Sequence, residues 1–463
     1  MRVTPILLGV LALPLPMAAH ASTRSDVAQL RAELEAMRSS YESRIAQLEK
    51  RLAESEKKEN ALAQNREQTP PAYSAPVADA AVMQAPSAPT TDVMPKISLV
   101  LQGGYRAEKD IANRTPVGFL PASSDTGSKR GFSVDESELV LDANVDPYWK
   151  GHATFSIIDG AANVEEAWFQ SLQLGDGLTA KGGRFLSNIG YLNNQHPHMW
   201  DFADAPLMYQ VMFGDRLSQD GVQVTWLAPT DQYLEVGAEI GNGNAYPGTS
   251  HPGAGDWTVF AHTGGDVGIS SNWRAGISYV QARADNRKGT INDLNDVSAD
   301  TYFSGKSRAW LADFSWKWAP NGNNHNQYFK LQSEYFHRNE GGQLDCSNNL
   351  ASGGSCVGLT DNYTSQQSGW YLQGVYQFMP RWRVGLRQDQ LNVGTVDLSG
   401  NAAYLPATSY KPEKTSIMLD YSPSEFSRFR VQWAQDRSIQ NLPDNVLTLQ
   451  YIMSLGAHGA HTY

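Results

Sequence analysis

An all-β transmembrane barrel of about 16 antiparallel strands, preceded by an N-terminal α-helical coiled coil, is the fold that this 463-residue chain predicts. Three observations carry the prediction. From Lys96 onward apolar and polar side chains alternate with period two, the mark of strands whose two faces meet different surroundings. The stretches between those strands alternate between long and short. No segment after the first twenty residues approaches the roughly 18 apolar residues of a spanning helix, whereas a barrel crosses with strands that are only half apolar.

The elements follow in chain order. Residues 1–21 read as an export signal: Arg2 precedes an apolar run from Pro5 to Met17, and Ala19-His20-Ala21 has the small-residue cleavage pattern. Residues 22–66 read as a coiled coil. Val27, Leu30, Leu34, Met37, Tyr41, Ile45, Leu48 and Leu52 recur mostly at alternating three and four, with charges between them, and so long a helix without a core of its own favours self-association. Residues 67–95 form a Pro/Ala-rich linker, nearly uncharged and without periodicity. The barrel spans 96–463. Cys346 and Cys356 lie ten apart among Gly, Ser and Asn. That spacing suits no zinc ribbon or redox motif and fits a small disulfide in an exposed 339–368 loop, hence an oxidising compartment.

Within the barrel the clearest strand puts Trp310, Ala312, Phe314, Trp316 and Trp318 on one face and Leu311, Asp313, Ser315 and Lys317 on the other. Phe429, Val431 and Trp433 oppose Arg428, Arg430 and Gln432 in the same way. Alternation alone does not separate a soluble sandwich from a membrane barrel. Loop parity does: long segments are expected at 108–131, 185–218, 242–256, 284–307, 339–368 and 393–411, with tight turns such as Asp146-Pro147, Asn321-Gly322-Asn323 and Met379-Pro380 between them. Long loops at one end and short turns at the other are a barrel's habit.

On this facing the lumen receives Lys181, Arg184, Arg274, Lys317, Lys330, Arg383, Arg387, Arg428 and Arg430, with Glu239, Asp313, Glu334, Asp389 and Asp420 among them. Two readings stay open. The charges set a field across a channel, or they form ion pairs that brace neighbouring strands. His196 and His198, with Asp201 or Asp204 as a third ligand, and His458 with His461, have spacings that suit zinc, although exposed pairs of this kind are usually ordinary loop residues. No G-x-S-x-G, H-E-x-x-H or calcium-loop pattern is present, and Gly305-Lys306-Ser307 lacks the earlier glycine of a phosphate loop. Lys+Arg 37 against Asp+Glu 48, net −11, argues against a nucleic-acid partner. No cofactor and no enzymatic step are expected.

Gly182-Gly183-Arg184-Phe185, a long loop holding Gly190 and Phe213-Gly214-Asp215, then Asp220-Gly221-Val222-Gln223-Val224, resemble the phosphate-selective porin O and P family across 96–463. The resemblance implies a sixteen-stranded homotrimer in outer-membrane lipid whose third long loop, here 185–218, folds inward as a constriction. It also implies a basic ladder for phosphate, and here the chain departs. The barrel holds 27 basic against 37 acidic side chains, and the constriction loop carries Asp201, Asp204, Asp215 and a single Arg216. The expected function is passive diffusion of small hydrophilic solutes or ions, anions such as phosphate included, across the outer membrane of a Gram-negative cell, with the coiled coil in the periplasm. The alternatives are a zinc-linked uptake channel and a non-conducting tether.

Overall fold

The computed structural model describes residues 95–456 apart from 112–113, 122–128, 159 and 349–352. The expected signal peptide, coiled coil and linker up to residue 94 lie outside the described residues, as do His458 and His461. The described chain forms one antiparallel sheet that closes on itself. Its segments are β1 (Lys96–Ala107), β2 (Gly131–Val134), β3 (Ser137–Asn144), β4 (Trp149–Ile158), β5 (Ala161–Ser171), β6 (Leu178–Leu186), β7 (Ser218–Leu227), β8 (Tyr233–Gly241) and β9 (Asp256–Val267). Then come β10 (Ser271–Asn292), β11 (Ser298–Trp318), β12 (Tyr328–Ser347), β13 (Val357–Met379), β14 (Trp382–Asp397), β15 (Glu413–Ser424), β16 (Ser427–Arg437) and β17 (Asp444–Gly456). β17 closes on β1 in the register Ser98↔Gly456. β2 and β3 both pair with β1 and are interrupted only by Asp135-Glu136, so they are one stave and the barrel has sixteen.

Alternation dictates the facing. In β16 Phe429, Val431 and Trp433 are 49%, 46% and 43% exposed while Arg428, Arg430 and Gln432 are 1%, 1% and 3%. The apolar side chains point away from the axis and the charged ones toward it, the reverse of a soluble sandwich. Connection parity also holds, with 108–130, 187–217, 242–255 and 398–412 long and 145–148, 228–232, 268–270, 380–381 and 425–426 short.

Two expected loops are corrected. β10, β11, β12 and β13 run for 22, 21, 20 and 23 residues, about twice the 9–11 that a spanning strand needs. Most of 284–307 and 339–368 is therefore ladder, and the connections shrink to 293–297 and 348–356. Outside lipid the outward face of a strand can be polar, so these extensions carry only a weak alternating signal. At their far end Leu120, Phe303, Leu344, Tyr363, Leu398 and Leu405 pack around the Cys346–Cys356 disulfide. Both cysteines are buried, at 0% and 1% exposure, rather than lying in an exposed loop.

Candidate functional site

The lumen is occupied by the connection 187–217, which leaves β6, crosses the barrel and returns to β7. Its neck is fastened by Asn193: the side-chain amide donates to Ser187 O (2.7 Å) and Leu217 O (2.8 Å), and its carbonyl accepts from Leu217 N (2.7 Å). Glu239 accepts from Asn188 N at 2.9 Å. Glu334 on β12 then takes four donors: the backbone N–H groups of Tyr191 and Leu192 (3.1 Å each) and the hydroxyls of Tyr209 (2.8 Å) and Tyr371 (2.7 Å). A buried carboxylate with so many partners fixes the loop's path. Gly190 must be glycine there, since φ is +60° and a Cβ would stand 2.2 Å from the Glu334 carboxylate.

Within the loop, α1 (Leu207–Phe213) starts after Pro206 and stops at Gly214, which adopts the left-handed conformation. Asp389 on β14 accepts the N–H of Leu207 at 3.1 Å, satisfying one of the donors a helix start leaves open. Leu207, Met208, Val211, Met212 and Phe213 are buried against Leu311, Phe336, Tyr371 and Leu391, which point inward from the barrel wall. That patch of lumen is consequently apolar.

Along β12–β16 the wall is basic and the loop answers it with carboxylates. Asp201 pairs with Lys330 and with Arg383 (3.1 Å); Asp204 pairs with Lys414 and with Arg387 (3.0 Å) and accepts from Gln432 (2.8 Å). Burial alone would raise both aspartates, but Lys330 and Arg383 around Asp201, and Lys414 and Arg387 around Asp204, hold their carboxyls well below the usual range. Within the wall, Asp420 joins Arg383 and Arg430, and Arg387 donates to Asp389 at 2.8 Å. Spare guanidinium donors go to loop carbonyls: Arg430 to Trp200 O (2.8 Å), Arg387 to Asp204 O (2.8 Å) and Arg428 to His198 O.

Along β3–β5 the wall is acidic and the loop answers with His196, His198 and Arg216. His196 Nε2 lies 2.9 Å from Glu166, and its Nδ1 lies 3.2 Å from Glu138 and 3.4 Å from Glu165. His198 Nδ1 lies 3.0 Å from the other oxygen of Glu138. Arg216 reaches Glu165 (2.5 Å) and Glu136 (3.2 Å). Burial alone would lower the His196 pKa, but the carboxylates of Glu138, Glu165 and Glu166 outweigh it and raise it well above the usual imidazole range. A β-bulge makes this wall possible. Thr154 faces Glu166 while Phe155 faces Val164, so Glu165 is the extra residue, and two adjacent glutamates both turn inward.

Of the remaining expected lining residues, Lys181 points inward with its ammonium 4.8 Å from the Trp168 ring centre, and Arg274 points inward to Asp313 (3.2 Å). Arg184 is a correction. Phe185 beside it is fully buried inward, and Arg184 pairs with its cross-strand partner Asp220 at 2.6 Å on the outer face. Lys181 and Arg184 are three apart, and a period of two sends such residues to opposite faces. Asp215 is exposed at the shoulder after α1 and joins no ion pair among the described residues. The expected grouping of His196 and His198 with Asp201 or Asp204 does not form, because the histidines face β3–β5 and the aspartates face β12–β16. Sequence reasoning missed Glu136, Glu138, Glu165, Glu166 and Lys414; the Glu165-Glu166 pair, breaking an alternating strand, was the available signal. At the short-turn end a cavity of about 580 Å³ stays open beside the loop, lined among others by Tyr191, Asp201, Asp266, Lys317, Lys330 and Arg383.

No family model matches the chain. An uncharacterized protein of Aquifex aeolicus (strain VF5) is 31% identical over 401 residues, 80% of this chain and 80% of that protein. This chain belongs to the family of that Aquifex protein. Among solved structures, this family member is similar to a loop-deletion mutant of OmpT from Vibrio cholerae (11% identity, TM-score 0.47, 78% of this chain and 99% of that one). It is similar also to an anion-selective porin from Comamonas acidovorans (9%, 0.46, 78% and 99%) and to the outer membrane channel DcaP of Acinetobacter baumannii (13%, 0.44, 78% and 97%). The barrel described above rests on its own closed ladder.

Proposed function

We propose that the chain is an outer-membrane channel of a Gram-negative cell that passes small hydrophilic solutes passively, with 187–217 setting the width of the path. One observation carries the reading. A closed ladder with apolar side chains exposed outside and charged ones buried inside is suited to acyl chains around a polar interior. The short turns belong on the periplasmic side, and the homotrimer implied by the sequence resemblance is part of this proposal.

The reading favours weak selectivity governed by size over a path dedicated to phosphate. Lys330, Arg383, Arg387 and Arg430 are each held against a carboxylate, which leaves little unmatched positive charge for a passing anion. Lys317, on the cavity wall, joins no ion pair among the described residues. Planar-bilayer recording on the purified protein tests the proposal. Stepwise ohmic currents are expected; absence of current, or a chain that stays monodisperse in water without detergent, overturns it. With Asp201→Asn and Asp204→Asn together, the basic wall loses the counter-charges that the loop supplies, and the reversal potential in asymmetric salt shifts toward anion preference.

A further inference from the structure

The acidic wall carries a geometry that ion pairing leaves unexplained. His196 Nδ1, Glu138 Oε2 and Glu165 Oε2 converge, with the nitrogen 3.2 Å and 3.4 Å from the two oxygens. The ligand atoms of the three residues all lie within 4.8 Å of one another. Short as these separations are, neither has the geometry of a hydrogen bond: Glu138 Oε2, Glu165 Oε2 and His196 Nδ1 are buried without a hydrogen-bond partner. Glu138 is itself 1% exposed. Such atoms aimed at a common point are unusual in a protein interior.

We infer that these three side chains form a binding site for a single divalent cation of the zinc type, which fastens the inserted loop to β3 and β5. Zinc bonds N and O ligands at about 2.0–2.2 Å in a tetrahedron, so neighbouring ligands stand about 3.3 Å apart. The two measured separations bracket that value. One imidazole with two carboxylates is a donor set that zinc accepts, and the fourth position is left to water.

The surroundings are those of a supported site. Metal-binding histidines generally give their other ring nitrogen to a carboxylate, which fixes the ring; His196 Nε2 lies 2.9 Å from Glu166. The second oxygen of Glu138 is held by His198 Nδ1 at 3.0 Å. Glu165 Oε1 is held by Arg216 at 2.5 Å, leaving Oε2 toward His196. Charge points the same way. Glu136, Glu138, Glu165 and Glu166 face one guanidinium, that of Arg216, with Lys181 the next cation, engaged over Trp168. A divalent ion at this point would take the place of the proton that these carboxylates otherwise hold on the imidazole. Glu165 reaches the site through the bulge in β5, a device that re-aims side chains at functional positions.

The inference does not depend on conduction and is tested on the full chain in detergent. After stripping with chelator, the protein is titrated with zinc by calorimetry, and with cobalt for the visible absorption of a tetrahedral N/O site. One ion per chain is expected, with the cobalt bands. His196→Gln and Glu138→Gln should each abolish that binding while heat-modifiable migration on gels shows an intact barrel. Glu166→Gln, which only orients the imidazole, should weaken it by about 10–100-fold. Replacing His458 and His461 by Ala should leave it unchanged. Absence of saturable zinc binding by the wild-type chain overturns the proposal in favour of a protonated imidazole among carboxylates, without reference to any variant. Binding of the same stoichiometry and affinity in folded His196→Gln overturns it as well.

Discussion

Along β12–β16 the barrel offers arginines and lysines and the inserted loop supplies Asp201 and Asp204, so that Lys330, Arg383, Arg387 and Lys414 each meet an opposite charge, while Arg428 turns to the His198 carbonyl. Along β3–β5 the barrel offers glutamates, and the loop supplies two imidazoles and one guanidinium, leaving carboxylate oxygens unmatched. Both walls keep charge away from water, and both use it to hold the same loop. The difference lies in completeness. Guanidinium groups have donors to spare and spend them on loop carbonyls as well as carboxylates, whereas a carboxylate can only accept. The basic wall is satisfied by the protein apart from Nε of Arg338 and of Arg428, and the acidic wall calls for cations that the chain supplies sparingly.

The contrast can be broken most severely on the basic side. Asp420→Ala strands Arg430 in the interior and leaves Arg383 with Asp201 alone, and loss of one partner from a buried pair costs about 3–5 kcal/mol; denaturant unfolding in detergent should show it, together with a looser loop and larger conductance. Between the two walls the loop is held by apolar contact. Met212→Ala, at a position with 0% exposure, should cost about 2–5 kcal/mol, with protease sensitivity rising within 187–217. Removing the disulfide by Cys346→Ser and Cys356→Ser should cost just under about 3 kcal/mol for so short a loop. That effect should be confined to the cap at the far end of β10–β13, with conductance unchanged. On the outer face, Arg184→Ala breaks a half-exposed pair and should change stability by less than about 1 kcal/mol, a result that would confirm its separation from the lumen through an unaltered reversal potential.

Much of the architecture was legible because a strand's side-chain period is fixed at two. The facing of Arg428 and Arg430 against Phe429 and Val431 and the sixteen staves follow from it, whereas the inward course of the connection, expected at 185–218 and found at 187–217, was implied by the family resemblance. Where the period slips by one residue, legibility fails. The bulge at Glu165 turned two neighbours inward. Arg184 faces out with the period intact, because residues three apart, as it and Lys181 are, lie on opposite faces. The extensions of β10–β13 were hidden because strands with a polar outer face and only scattered apolar residues within, such as Phe303 and Leu344, resemble loops.

By itself the sequence determined which side chains could face lipid and which could not, because hydrophobic alternation is a local property that every stave repeats. Only the tertiary structure decided which charges meet. Asp201 and Arg383 are separated by 182 residues and Glu138 and His198 by 60. Their pairing depends on how a loop crosses a closed barrel, and no spacing along the chain encodes that crossing.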